Sequence, residues 1–159
     1  MNRTESASGA GDDVDHLGDP GADDNVGFLL AKASQRFNEL LAERFAARGY
    51  AEVRPSYGSV LVPLFQQDGL RLGALAARSR LSKQAITGLV KLCEQDGLVV
   101  RERDPDDGRA FRLRLSARGR EFRSVAQEVL RELDEQLVRS LGRADHDALK
   151  AALRGVMEL

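Results

Sequence analysis

Cysteine and histidine are scarce in this sequence of 159 residues, which has one cysteine and two histidines. The single cysteine, Cys93, excludes an intramolecular disulfide framework and fits a reducing compartment. Cysteine, histidine and carboxylate residues do not cluster at the spacing of metal ligands. We therefore expect no structural metal and no cofactor.

Long hydrophobic runs and common catalytic motifs are also missing. No apolar stretch approaches the roughly 18 residues that a membrane-spanning helix needs, and residues 1–18 lack the basic-then-apolar order of a signal peptide. There is no glycine-rich phosphate loop, no Gly-x-Ser-x-Gly elbow and no cysteine–histidine pair close in sequence. We expect a cytoplasmic protein of bacterial type that has no membrane partner and is not an enzyme, although distant residues can still assemble a catalytic site.

Charge is distributed unevenly along the chain, although the net charge is only −1. Residues 1–25 contain seven acidic residues and one basic residue, whereas residues 71–123 contain thirteen basic and seven acidic residues. A basic segment of this kind points to a polyanionic partner. Residues 1–25 have almost nothing to bury, so we expect a disordered acidic tail. It either solubilises the protein or competes with the polyanion for the basic segment.

Periodic patterns predict a mainly α fold with a small antiparallel β-hairpin. Asn25 and Ser116 are candidate N-caps, and Gly49 is a candidate helix stop. The predicted strands are 98–103 and 110–115, joined by a turn-rich connector at 104–109. The predicted helices are 26–48, 56–67, 72–78, 83–95, 117–140 and 143–157.

Residues 51–115 combine a short helix, a tight turn, a longer helix and a hairpin, the order of a winged helix-turn-helix. The major groove of DNA admits one α-helix, and polar side chains on its first turns reach base edges. The second helix opens with such residues, which are Ser82, Lys83, Gln84 and Thr87. Its N-cap, Ser82, also leaves backbone N–H groups facing phosphate. Taken alone, these residues are equally typical of a solvated helix face.

The hairpin adds a second candidate contact with DNA. Its tip, with Gly108 and Arg109, can place a guanidinium in an adjacent minor groove. Arg101 and Arg103 precede the tip and are candidate phosphate contacts or solvated strand residues. Double-stranded DNA is therefore the predicted partner, and we expect the protein to associate with the nucleoid when bound.

The sequence resembles the MarR (multiple antibiotic resistance regulator) family from about residue 26 to the last residue. The most specific part is the wing pattern Asp-Pro-x-Asp-x-Arg-Ala, followed by Leu-Ser/Thr-x-x-Gly. The matching segments are Leu75-Ala76-Ala77-Arg78 through Ser82, Ile86-Thr87-Gly88-Leu89-Val90, Gly97-Leu98-Val99, Asp104-Pro105-Asp106-Asp107-Gly108-Arg109-Ala110 and Leu115-Ser116-Ala117-Arg118-Gly119.

This resemblance implies a homodimer whose helical dimerisation region comprises residues 26–50 and 116–159. It also implies a repressor that binds a palindromic operator and is released by a small aromatic or phenolic ligand. By the same resemblance, Arg109 is the wing-tip arginine and Asp107 is the acid that orients its surroundings.

Four residues depart from the family pattern. Arg80, a further candidate phosphate contact, stands where the turn usually has glycine, and Arg71 replaces the usual Ser/Thr cap. Gly88 lies inside the recognition helix, where it costs about 1 kcal/mol of helix propensity relative to alanine. Pro63 is unexpected inside the second helix, where it should form a kink or mark the first turn. Together they make the operator sequence unpredictable by analogy.

Alternative interpretations remain for several features. Cys93 is either a redox sensor or, on an inward face, a small buried hydrophobe. Tyr50 and Tyr57 either line a ligand pocket or belong to the core. A winged-helix adaptor that binds proteins and has lost DNA binding is the alternative function. A DNA-alkyl transferase needs a reactive cysteine between proline and histidine, and Cys93-Glu94 does not match.

Overall fold

The computed structural model describes residues 25–159, so the predicted acidic tail lies outside the described residues except for Asn25. Within this range, no helix has the length and apolarity that crossing a bilayer requires. A 3-10 turn at Pro55–Tyr57 precedes α2. The helices and strands, in chain order, are α1 Val26–Ala46, α2 Gly58–Gln66, β1 Leu70–Arg71, α3 Leu72–Ser79, α4 Lys83–Gln95, β2 Val99–Asp104, β3 Asp107–Leu115, α5 Ala117–Leu141 and α6 Arg143–Met157.

The sheet has three strands rather than the two that the sequence predicts. Its order is β1-β3-β2, and both pairs are antiparallel. The additional strand pairs Leu70 with Leu113 and Arg71 with Arg112. Two residues are too short a stretch to show a period-2 pattern, which explains why the sequence did not reveal β1.

The hairpin turn is tighter than predicted. The pattern predicts a connector over residues 104–109, but β2 extends to Asp104 and β3 begins at Asp107, leaving Pro105 and Asp106 as the turn. Asp104 pairs with Asp107, and the register shifts next to Arg103. Arg109 therefore lies within β3 rather than in the turn, in a segment, residues 108–110, that the register shift leaves without a partner on β2.

Two predicted helix caps and the predicted stop after α1 are confirmed. The Asn25 side chain accepts a hydrogen bond from the backbone N–H of Gly27 at 2.8 Å, and Ser82 accepts one from Ala85 at 3.1 Å. Gly49 has a φ of 84°, in the left-handed region that glycine adopts without strain. The side chains of Asn25 and Ser82 satisfy backbone donors that the start of a helix otherwise leaves unpaired, and they define where α1 and α4 begin.

The Leu-Ser-x-x-Gly motif joins the hairpin to α5. The Ser116 hydroxyl accepts a hydrogen bond from the Gly119 N–H at 2.9 Å and donates one to the Gly97 carbonyl at 2.5 Å. A Cβ atom on Gly119 would lie 2.1 Å from the carbonyl oxygen of Leu98. Glycine is required there because the first turn of α5 packs directly on the backbone before β2.

Within residues 37–159, one hydrophobic core lies beneath the sheet and α4. Ile86, Val90 and Cys93 of α4 are fully buried, as the inward stripe predicts, while Leu89 is partly buried. The core also takes side chains from α2, α3, β1, β3 and α5, among them Leu61, Leu64, Leu75, Leu70, Leu113, Phe122, Val129 and Leu133. Burial on one face leaves the other face of α4 exposed.

Pro63 lies in the middle of α2, and a serine from α3 compensates for it. Proline has no N–H, so the helix cannot pair the carbonyl of Ser59, four residues earlier. The hydroxyl of Ser79 donates to that carbonyl at 2.5 Å. A side chain of the helix-turn-helix thus replaces a missing backbone hydrogen bond and connects α2 to the end of α3.

We predict that Ser79→Ala lowers the free energy of unfolding by about 1–2 kcal/mol, because a partly buried carbonyl loses its donor. In a Pro63→Ala background the same change should cost less, since the substituted alanine supplies the missing N–H. Urea unfolding of the four proteins in this double-mutant cycle measures the coupling. Equal costs in both backgrounds would contradict the explanation.

Candidate nucleic-acid interface

The first turns of α4 present the polar residues that the sequence singled out. Ser82, Lys83, Gln84 and Thr87 are all exposed. The Thr87 hydroxyl donates to the Lys83 carbonyl at 2.6 Å, so its hydrogen is used within the helix while its methyl group and lone pairs stay available. Lys83 and Gln84 therefore carry the free donors of this surface.

Arg80 occupies the turn between α3 and α4 in a strained conformation. Its φ of 51° and ψ of 34° are left-handed, and no other non-glycine residue among residues 25–159 has a positive φ. The backbone N–H of Arg80 bonds to Ala77, and that of Leu81 bonds to Ala76, which is the Schellman pattern that ends a helix. Arg80 therefore adopts the left-handed backbone conformation that glycine usually takes in this turn, at a cost of about 1 kcal/mol.

The hairpin has two faces of different character. Val99, Leu113 and Leu115 are buried on the face that carries α4, and by alternation Arg103 belongs to the same face. We call this the inner face. Arg109 lies in residues 108–110 of β3, which the register shift leaves without a partner on β2. Both arginines are exposed.

Arg101 also lies on the inner face but has a partner. Its Nε is 2.7 Å from Oε1 of Glu94, near the end of α4. This ion pair connects β2 with α4. Arg101 is therefore less available to phosphate than the sequence suggested.

The outer face is organised around one buried carboxylate, Asp104. Its Oδ2 lies 2.6 Å from Nε of Arg71 and 3.0 Å from Nε of Arg112, and its Oδ1 accepts the N–H of Asp106 at 3.0 Å. The Arg112 guanidinium, followed by the hydrogen bonds from Arg71 and the Asp106 N–H, holds the pKa of the Asp104 carboxyl well below its usual range. One side chain thus joins β1, β3 and the turn.

Two further acids complete the outer network. Asp106 pairs with Arg112 at 2.9 Å, and Glu102 pairs with Arg114 at 2.7 Å. The arginines that alternate with apolar residues along β3 are therefore neutralised within the hairpin. Among residues 25–159, the hairpin arginines without a side-chain partner are Arg103, on the inner face, and Arg109.

The role assigned to Asp107 is divided between two residues. The side chain of Asp107 accepts the backbone N–H of Arg109 at 3.1 Å and is exposed. Asp104 makes the long-range contacts instead, and the sequence did not reveal this, because its partner Arg71 belongs to a strand too short to predict. The one available signal was Arg71 itself, which stands at the capping position although its guanidinium cannot accept a hydrogen bond from a backbone N–H.

Four predicted contact residues have no side-chain partner among residues 25–159. They are Arg80, Lys83, Arg103 and Arg109. By contrast, Arg71, Arg101, Arg112 and Arg114 all pair with acids. Cations without internal partners are available to neutralise phosphate.

Tyr50 and Tyr57 are both core residues. Tyr57 is fully buried and donates a hydrogen bond to Asp96 at 2.5 Å, and burial, reinforced by this bond, raises the pKa of Tyr57 to about 12. Tyr50 packs against Phe122 and under the guanidinium of Arg118. The structure thus places both side chains against other protein groups, and a role in ligand binding stays a prediction.

Cys93 is fully buried in the core, and burial raises the pKa of its thiol to about 12. A reactive cysteine needs the opposite conditions, exposure and a lowered pKa. These properties favour a packing role. Among residues 25–159, no group of three or more potential ligands is arranged to hold a metal ion.

Comparison with known proteins finds relatives that are transcription regulators. The MarR family model matches residues 65–110, which contain α3, α4 and most of the hairpin. The chain is 33% identical over 93 residues to the HTH-type transcriptional repressor YetL of Bacillus subtilis, a match that covers 57% of this chain and 54% of YetL. The match therefore spans about half the length of this curated relative.

Solved structures of similar fold match most of the length of this chain. A probable transcriptional regulator from Pseudomonas aeruginosa is 28% identical and has a TM-score of 0.71, covering 84% of this chain and 98% of that one. The repressor CouR, solved bound to a 23-mer DNA duplex, is 26% identical with a TM-score of 0.71, covering 84% and 92%. CouR from Rhodococcus jostii RHA1 has also been solved bound to p-coumaroyl-CoA, with a TM-score of 0.64.

We predict that Asp104→Asn destabilises the protein in a pH-dependent way. The folded-state pKa of Asp104 is lowered, so its contribution is full above the unfolded pKa, about 3.9, and is lost as pH falls through the folded pKa. The gap in unfolding free energy between wild type and variant should be constant above about pH 5 and shrink below about pH 4. Urea unfolding across this range measures it, and a gap that does not change with pH would refute the assignment.

Proposed function

We propose that this chain is a MarR-family transcriptional regulator, acting as a repressor, that binds a palindromic DNA operator as a homodimer, since the matching family model and the relatives named above are of that class. The observation that carries the proposal is a set of four exposed cations without side-chain partners among residues 25–159, Arg80 in the turn before α4, Lys83 on α4, and Arg103 and Arg109 on the hairpin. The relatives named above are transcription regulators rather than enzymes, which supports the same class.

In this proposal α4 lies in the major groove. The apolar side chains of one face of α4, Ile86, Val90 and Cys93, are buried in the core. The opposite face, with Lys83 and Gln84, is therefore exposed. Lysine donates to guanine O6 or N7, and glutamine bonds adenine N6 and N7. Thr87 offers a methyl group to thymine. Ser82 acts indirectly, since its hydroxyl caps the helix.

The hairpin lies over the adjacent minor groove. Arg103 lies on the inner face and Arg109 in the unpaired segment of β3 beside it, and neither has an acidic partner among residues 25–159 to compete with phosphate. Narrow A·T segments of the minor groove concentrate negative potential and attract arginine. Asp104 keeps the hairpin rigid for this contact, and Asp107 orders the backbone at Arg109.

The homodimer is supported by the properties of α6. His146 is the only buried residue of this 15-residue helix, while Leu149, Leu153 and Val156 are 39–43% exposed at helical spacing. A helix with so little burial is marginal in water unless a partner covers its apolar stripe. A second copy supplies that cover and sets two recognition helices roughly 34 Å apart, one turn of DNA.

Release by a small aromatic or phenolic ligand is the remaining part of the proposal. Its support is the structure of CouR with p-coumaroyl-CoA. Since the buried Tyr57 donates a hydrogen bond to the partly buried Asp96, a ligand that reached Tyr57 would displace this bond. Such a ligand should shift the unfolding temperature and weaken DNA binding together.

An adaptor that binds another protein is the competing function. It requires no counterion release, whereas a DNA binder loses affinity linearly in log units as log salt concentration rises. The experiment first selects, from a random library, the duplex that the protein binds most tightly. Affinity for that duplex is then measured between about 50 and 200 mM salt, a range in which salt strongly weakens DNA binding. The salt dependence separates the two functions. A protein that selects no duplex would refute the regulatory function.

We predict that Arg109→Ala weakens binding to the selected duplex by about tenfold or more and lowers the salt slope by about one. Arg123→Ala is the matched control, since Arg123 is an exposed α5 arginine without a side-chain partner among residues 25–159. It should bind within about twofold of wild type if the contact is specific to the wing. Unchanged affinity in Arg109→Ala would remove the hairpin from the proposed interface.

We predict that Gln84→Ala relaxes discrimination at one or two base pairs by about 1–3 kcal/mol each, because one side chain reads one base edge. Competition between the selected duplex and single-base variants measures it, and Lys83→Ala is tested beside it. A loss that is equal for all sequences would identify a phosphate contact instead.

We predict that Leu153→Asp shifts the protein from dimer to monomer, since a carboxylate in an apolar interface loses solvation without a partner. Val62→Asp, an exposed apolar position of α2 outside the predicted dimerisation region, is the control. Sedimentation velocity distinguishes the two states. A variant Leu153→Asp that remains dimeric would exclude this stripe from the interface.

A further inference from the structure

Phe111 is the most exposed aromatic side chain among residues 25–159, with 50% of its surface accessible. The sequence predicts an inward side chain there, because Phe111, Leu113 and Leu115 alternate with arginines. Leu113 and Leu115 are buried as expected, but the core ends before Phe111. The ring therefore belongs to the buried face of the strand without being covered by the fold.

The neighbours of Phe111 are the two arginines of the hairpin that have no side-chain partner among residues 25–159. Arg103 is its directly opposite partner on β2, and Arg109 precedes it by two residues on β3. Opposed residues of an antiparallel pair share a face, and Arg109 lies close to Phe111 along the chain, in the segment of β3 that has no partner on β2. The exposed ring is thus flanked by two cations that have no side-chain partner among residues 25–159.

We propose that Phe111 is an apolar DNA contact of the wing, which packs against the deoxyribose walls of the minor groove between the positions of Arg103 and Arg109. This inference rests on the proposed function and deepens it. The minor groove presents sugar C–H surfaces between two rows of phosphates, so an apolar ring with a cation on either side matches its chemistry. Proteins that bind this groove frequently use apolar side chains beside basic ones.

The charge distribution of the hairpin favours DNA over a protein partner at this position. The outer face pairs its arginines with Asp104, Asp106 and Glu102, whereas Arg103 and Arg109 beside Phe111 remain without acids. An acidic protein surface would offer carboxylates to the arginines but few apolar groups to the ring. A groove with phosphate rims and apolar walls satisfies both.

The contact should be visible as a loss of affinity that does not depend on salt. Removing a ring releases no counterions, so Phe111→Ala should weaken binding to the selected duplex by about tenfold without changing the salt slope. This magnitude corresponds to roughly 50 Å² of apolar surface removed from water at about 25 cal/mol per Å². Arg103→Ala, measured in parallel, should lower the slope by about one.

The matched control is Val100→Ala on the outer face of the same hairpin. Val100 is 41% exposed and pairs with Arg114, so it is apolar and accessible but turned away from the inner face. It should leave affinity within about twofold of wild type. Phe111→Leu keeps an apolar side chain and should retain most of the binding, and thermal unfolding checks that each variant is folded.

The outcomes separate this inference from the proposed function. If the wild-type protein selects no duplex, both the proposed function and the contact by Phe111 are overturned. Wild type that binds, with Arg109→Ala impaired and Phe111→Ala unchanged, overturns only the contact by Phe111. A loss in Phe111→Ala that also lowers the salt slope, or one that appears equally in Val100→Ala, indicates a disturbed hairpin and likewise overturns the contact. A loss in Phe111→Ala alone, equal at every salt concentration, supports it.

Discussion

Burial of the Asp104 carboxylate between two arginines is the interaction on which the candidate interface depends. Arg71, Arg112 and the backbone of Asp106 all bond to this one side chain, so β1, β3 and the hairpin turn are held together at one point. A buried carboxylate is costly unless it is paired and hydrogen-bonded, and here it is both. Because the outer face neutralises its own charges, the cations of the hairpin that a polyanion can use are Arg103 and Arg109.

The helix-turn-helix and the hairpin are linked by polar contacts as well as by the core. Ser79 completes α2 at Pro63, Ser116 connects the hairpin with α5, and Arg101 reaches Glu94 on α4. The two serines bond to backbone groups, whereas Arg101 and Glu94 form an ion pair between side chains. A DNA-contacting surface built from two elements needs this rigidity, since small displacements of either element change which base it meets.

Much of the fold could be predicted because its signals are local. The periodicity of α4, the caps at Asn25, Ser82 and Ser116, and the start of α6 at Arg143 all follow from neighbouring residues, and the structure agrees. The exposed positions of Lys83 and Gln84 follow from the same periodicity. Predictions failed where pairing was long-range or the turn was misjudged, as at β1 and at the strand position of Arg109.

The sequence by itself determined the class of fold and the exposed edge of α4, because helix periodicity and capping are set by residues within a few positions of one another. Only the tertiary structure decided which charges remain free. Arg101, Arg103, Arg109 and Arg112 look alike in the sequence, yet two are paired and two are not. Strand alternation and register, together with the acids that α4, β2 and the hairpin turn bring close, make that difference, and no local pattern encodes it.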